Sequence, residues 1–230
     1  MAFSPDGRFV ASTRKEAVII VKADSGEQVG ELSVGRLVNS LQFTNGSDQL
    51  VVGVVGSQRQ APEVQFWDVV SLSKQKSLRV ELPSGIKKPS AVSIAISPDE
   101  RSLVATVGHV EHTRHDVRLF DFQTERWHML ASDPAIINAP AFSADGRLLA
   151  QPTARGAGPA AVLLWDFSTR SRRRLACHSA WTVTDVAFSP DGRYLVAALI
   201  PLLQTHGAPN VRTVCVWELP TAESPGDLTR

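Results

Sequence analysis

Cysteine is scarce in this 230-residue chain: there are two, Cys177 and Cys215, 38 residues apart. That spacing fits neither a zinc-ligand set nor a redox motif, and it predicts no disulfide framework. A reducing, cytoplasmic setting is therefore the expectation. Net charge is nearly absent too, at a formal +1. So small a charge gives no reason to expect nucleic acid or a membrane surface as partner. No apolar run reaches the length of a membrane span. The opening residues run from Met1 straight into a polar turn phrase and do not read as a secretory leader. Catalytic signatures are missing as well. There is no Gly-x-Ser-x-Gly elbow, no Gly-x4-Gly-Lys phosphate loop and no His-Glu-x2-His pair. The expectation is a protein that is not an enzyme and that holds no cofactor.

What the chain does have is a repeat. Phe-Ser-Pro-Asp-Gly-Arg occurs at Phe3–Arg8 and again at Phe188–Arg193. Phe142–Arg147 keeps all of it except the proline, Ile96–Arg101 keeps the turn core, and Phe43–Ser47 keeps the pattern with other letters. The residues that lead into these turns are Phe3, Phe43, Ile96, Phe142 and Phe188, at intervals of 40, 53, 46 and 46. Such a period matches a four-stranded propeller blade and exceeds most helical repeats.

Local chemistry agrees. In Ser-Pro-Asp-Gly the serine can bond the backbone ahead, proline presets φ, and glycine accepts positive φ, which makes a hairpin turn. Glu100 stands where the glycine belongs, and a penalty of roughly 1 kcal/mol there predicts a hairpin that bends differently. Asp6, Asp99, Asp145 and Asp191 recur because the turn needs them, which argues against a catalytic role. Seven residues after each leading residue stands Val10, Leu50, Leu103, Leu149 or Leu195, a predicted core position. A β-branched or aromatic third strand follows in each unit, as at 17–21, 64–67, 117–120, 161–165 and 214–217.

Three of those strands end in Phe66-Trp67-Asp68, Leu164-Trp165-Asp166 and Val216-Trp217-Glu218, with Leu119-Phe120-Asp121 a variant. With Cys177-His178 ten residues before Phe188, the pattern resembles the WD40 repeat, in divergent, bacterial-type form. The resemblance implies an all-β fold, a β-propeller of about five four-stranded antiparallel blades, open or incomplete. The units fall near 1–35, 36–85, 86–134, 135–178 and 179–218, with a polar tail at 219–230. Most blades lack the family's side-chain network of His, Ser or Thr, Asp and Trp. Only His178 fills the histidine place, and the aspartate place holds Ala61, Pro159 or Val211. Apolar packing is therefore expected to carry the blades.

The resemblance also implies a face for partners, formed by loops between strands two and three and between blades. The expected partner is a protein, and further blades from a longer chain are expected to complete the propeller. Trp181 is the leading contact residue, with Arg36, Lys87, Lys88 and His178 around it. Against this stands a core role for Trp181, whereas Trp67, Trp165 and Trp217 read as core. His109, His112 and His115 form a weak alternative metal site. A solvated loop explains them as well, because residues three apart on an extended segment point to opposite faces. The arginines at 170 and 172–174 read as a solvated hairpin tip. An accessory or sensing propeller in a larger enzyme, such as a bacterial kinase or peptidase, is the competing functional reading.

Overall fold

The computed structural model describes residues 1–57, 60–82, 89–109, 115–133, 138–153, 159–177, 181–201 and 213–219. Those residues are strands, turns and short connections, with no helix among them. The chain divides into two units, Met1–Pro134 and Ala135–Arg230.

The first unit contains three sheets. The first runs β1 (Ala2–Phe3), β2 (Phe9–Arg14), β3 (Ala17–Lys22), β4 (Gln28–Ser33). The second runs β5 (Val38–Phe43), β6 (Gln49–Val54), β7 (Glu63–Asp68), β8 (Lys74–Arg79). The third runs β9 (Pro89–Ile96), β10 (Ser102–His109), β11 (His115–Asp121), β12 (Arg126–Asp133). The second unit has a four-stranded sheet of β13 (Ala141–Phe142), β14 (Leu148–Thr153), β15 (Ala161–Asp166) and β16 (Ser171–Ala176). Its other sheet has three described strands, β17 (Trp181–Phe188), β18 (Tyr194–Pro201) and β19 (Thr213–Glu218). Each sheet is an antiparallel meander in chain order, as a propeller blade requires.

The repeated turns close the first hairpin of every sheet. In the first, the Ser4 hydroxyl donates to Asp6 Oδ1 at 2.6 Å and accepts the Phe9 amide at 2.8 Å. Asp6 Oδ1 also accepts the Arg8 amide at 3.0 Å. The same serine–aspartate bond recurs at Ser97–Asp99, Ser143–Asp145 and Ser189–Asp191. Gly7, Gly146 and Gly192 take φ of +72°, +71° and +71°, the left-handed conformation glycine adopts without a Cβ clash.

Glu100 corrects an expectation. Its φ is +56°, and its hairpin closes like the others, with Glu100 N donating to Ser97 O at 2.8 Å and Ser97 N to Ser102 O at 2.9 Å. The reason lies in the side chain. Glu100 Oε1 accepts the Asn45 amide at 2.7 Å, in the turn of the neighbouring sheet. Ser47 repeats the device at φ +64°, with its hydroxyl accepting the Asp6 amide at 3.1 Å. A hydrogen bond contributes about 1 kcal/mol, comparable to the left-handed strain it offsets. Non-glycine residues thus occupy this position where they tie one turn to the next.

These bonds also set an acid limit. The Ser4 hydroxyl, then the Arg8 amide, hold the Asp6 carboxyl at about 2 rather than 3.8. Asp99 and Asp191 are lowered in the same way, first by Ser97 and Ser189 and then by the amides of Arg101 and Arg193. Burial pushes Asp145 up, but the Ser143 hydroxyl and the Arg147 amide hold it below its ordinary value. Carboxyls lowered by folding stabilise fully above their unfolded value and lose that contribution as pH falls through the folded one. The urea midpoint should therefore drop steadily between about pH 4 and pH 2, and Asp6→Asn should make the drop shallower. A midpoint flat across that window would show that the turns contribute nothing.

The sheets pack face to face by a fixed rule within each unit. The face carrying a sheet's leading residue lies against the opposite face of the sheet before it. Phe43, Leu50, Val52 and Trp67 of the second sheet meet Ala11, Val18, Ile20 and Leu32 of the first. Ile96, Leu103, Ala105 and Phe120 of the third meet Val51, Val64 and Phe66 of the second. In the second unit, Leu195, Ala197 and Leu199 meet Leu148, Ala150, Val162 and Leu164. Leu50, Leu103, Leu149 and Leu195 are completely buried. Val10, the fifth member of that series, is not, and Phe3 beside it is 62% exposed.

Candidate interaction surface

A meander gives each sheet two unlike ends. The serine–aspartate turns and the turns between third and fourth strands lie at one. The connections between second and third strands, and those leading to the next sheet, lie at the other.

At the first end, the acidic residue that closes the third strand has a structural task. Asp68 Oδ1 accepts the Ser71 amide and hydroxyl, both at 2.6 Å. Asp121 Oδ1 accepts the amides of Gln123 and Thr124 at 2.7 and 3.0 Å. Asp166 Oδ1 accepts the amides of Ser168 and Thr169 and the Ser168 hydroxyl. Each carboxylate holds a tight turn whose last residue, Leu72, Glu125 or Arg170, is left-handed. These bonds lower Asp68, chiefly through the Ser71 hydroxyl, and Asp121, chiefly through the Thr124 amide. For Asp166 burial raises the carboxyl, and the Ser168 and Thr169 donors with Arg147 outweigh it. Arg170 lies in the turn, but Arg172, Arg173 and Arg174 stand on β16 rather than at the expected hairpin tip; all four are exposed, and Arg174 donates to the Pro159 carbonyl.

At the second end, Arg36 sits in the link between the first two sheets. Its guanidinium pairs with Glu63 at 2.8 Å and donates to the Ala61 carbonyl at 3.0 Å. Gln65 Nε2 donates to Glu63 at 3.0 Å, and Trp67 Nε1 donates to Gln65 Oε1 at 3.0 Å. Burial pushes the Glu63 carboxyl up, but Gln65, Arg36 and Ser77 together hold it below its ordinary value. A polar chain thus runs from the link to the buried Trp67 along one face of β7. The second sheet carries a buried polar chain beside its mainly apolar packing. The usual residue types are missing, and arginine, glutamate and glutamine supply the network instead. The same face of β11 carries buried Asp116 and Arg118, whereas β15 carries Ala161 and Leu163.

A second device escaped the sequence reading. Asn39 Nδ2 donates to the Val92 carbonyl at 3.1 Å, and Asn138 Nδ2 donates to the Val183 carbonyl at 3.0 Å. Each asparagine stands four residues before its sheet's leading phenylalanine. Each bonds the first strand of the next sheet within its own unit. That shared offset was the signal available in the sequence.

Of the other predicted residues, Trp181 is the first residue of β17, with its backbone paired to Pro201. His109 ends β10 and His115 begins β11. Lys87, Lys88, His112 and His178 lie outside the described residues. Among the described residues no cluster of three His, Cys, Asp or Glu side chains could hold a metal ion. No helix there is long and apolar enough to cross a membrane. A cavity of about 160 Å³ opens between the second and third sheets, lined by Phe66, Lys76, Ile96, Glu100 and Phe122 among others. Trp67 and Trp165 are buried as expected, and Trp217 is packed partly against its core.

The fold and these turns define an all-β repeat protein of propeller type. The WD40 profile (WD domain, G-beta repeat) matches residues 169–199. No curated protein matches the chain. Among solved structures, one assigned as TolB from Agrobacterium tumefaciens is similar at TM-score 0.70 and 15% identity, over 95% of this chain and 76% of that one. Kuenenia stuttgartiensis hydrazine synthase is similar at TM-score 0.64 and 17% identity, over 87% of this chain. The chain spans 63% of that hydrazine synthase chain.

Proposed function

We propose that this chain is a divergent WD40-type propeller module that captures a protein partner and performs no chemistry itself. The observation that carries the reading is the separation of the two sheet ends. At one, carboxylates and hydroxyls are consumed in closing turns. The other end bears the connections between second and third strands, and loops carried on a rigid sheet are where binding residues tend to reside. Profile agreement at residues 169–199 and the carboxylate-held turns after Trp67 and Trp165 support the family assignment.

Arg36 is engaged with Glu63 and Ala61, so the proposal places the contact on Trp181, where β17 starts at that same end. Trp181→Ala should weaken partner capture at least tenfold while leaving the melting temperature within a few degrees of the parent, as for an interface anchor. Pull-downs from host lysate beside thermal melts measure both. A collapsed melt would make Trp181 a core residue, and unchanged capture would move the site elsewhere.

A second reading is an accessory or sensing propeller serving a larger enzyme such as a bacterial kinase or peptidase. Reading the coding sequence on both sides of this segment tests it. A fused or adjacent kinase or peptidase segment supports that role.

A further inference from the structure

Two apolar sheet faces are left uncovered, and they are the two halves of a contact the fold makes elsewhere. In the third sheet Ile96, Leu103 and Phe120 stand side by side across three strands. They cover Val51, Val64 and Phe66 of the second sheet, which are buried. The first sheet carries the same triple as Phe3, Val10 and Val21, paired strand to strand in the same register. Phe3 is exposed, Val10 and Val21 are half-buried, and all three lie outside the core that Ala11, Val18 and Ile20 help to form. The fifth sheet carries the other half. Val196 pairs with Val216 as Val51 pairs with Phe66, and Val214 stands three residues before Trp217 as Val64 stands before Trp67. Val214 and Val216 are 59% and 57% exposed. An open hollow of about 600 Å³ lies on that face, lined by Thr184, Ala198, Ile200 and Val214 among others.

We propose that these faces recognise each other between molecules: the first sheet of one copy packs on the fifth sheet of a second copy. The occupant follows from the register. A face of Val196, Val214 and Val216 matches one of Phe3, Val10 and Val21 by the same pattern that seats the third sheet on the second. Every copy of this chain carries both faces with their apolar side chains in water. Contiguous apolar patches on a folded surface mark sites of association. The contact joins unlike faces, so it is head to tail and extends from copy to copy unless the assembly closes on itself. A sheet face about 20 Å long and four strands wide offers about 400 Å². That is half of the roughly 800 Å² per partner in a stable complex. Association should therefore be reversible and should set in only at high protein concentration.

The test is sedimentation equilibrium of the full chain over a wide concentration range. The average mass of the parent should climb from that of a monomer as concentration rises. Phe3→Lys and Val216→Lys should each abolish the climb, and each should melt within a few degrees of the parent, since both sites are exposed. The decisive sample is an equal mixture of the two variants. Each keeps one intact face, so the mixture should form a one-to-one dimer and nothing larger. A parent that stays monomeric at every concentration would overturn the proposal. If both variants of such a monomer also melted far lower, the two faces would be meeting within one chain instead. Association that survives either substitution, or a mixture that yields no dimer, would show that copies meet through some other surface and would overturn it as well.

Discussion

Gly53→Ala should destabilise the first unit by about 3 kcal/mol, a large effect for one added methyl group. Gly53 lies opposite Ser40, where β5 carries a bulge. A Cβ there would stand 2.6 Å from the Val92 carbonyl oxygen, which is backbone and cannot swing aside. That oxygen already accepts from Asn39 Nδ2 and from the Ser40 hydroxyl at 2.8 Å. The new methyl would therefore push apart two first strands at the point where side-chain hydrogen bonds join them. Gly30 is the matched control. A Cβ there meets the tip of the Leu72 side chain, which can rotate, so Gly30→Ala should cost less than about 1 kcal/mol. Urea melts of the two variants make the comparison, and equal losses would mean that the seam around Val92 is not close-packed.

Truncating Leu103 should be as damaging. Leu103 is fully buried between the second and third sheets, and Leu→Ala at such a site costs about 3 kcal/mol or more. Val10 holds the same repeat position in the first sheet, yet it is only partly buried. Val10→Ala should cost about 1 kcal/mol or less, since part of its surface is already in water. The contrast tests the packing rule itself. Similar losses at the two positions would show that the face bearing Phe3 and Val10 is covered in solution.

Structure is legible in the sequence where it is local. Serine, aspartate and glycine at fixed offsets determine a turn through backbone geometry, so the hairpins could be located from five short phrases. The buried leucines were legible for a similar reason, because one offset recurs in every unit. The reading failed at Glu100, where local propensity was judged alone. The strain there is offset by Asn45, a residue 55 positions earlier, and no local rule includes that partner. It also missed the chain from Arg36 through Glu63 and Gln65 to Trp67. Its members come from a link and a strand, and the familiar histidine and aspartate were sought in their place. Arg36 was singled out for its charge, but its ion-pair partner could be seen only once β7 had been placed beside the link.

The packing rule has a consequence for how such a protein can be made. Every sheet presents two different faces, and within each unit the contacts described run between sheets that are adjacent in the chain. A nascent chain can therefore complete the hydrogen bonds of one sheet as soon as its own forty-odd residues have left the ribosome. Its forward apolar face must then wait for the next segment to be translated. During that interval one greasy surface is bare, and within each unit it passes from one sheet to the next as synthesis proceeds. A translational pause soon after a finished sheet would prolong that exposure. A pause just before the following turn phrase would be the most hazardous, and a holdase would have a single moving target to shield.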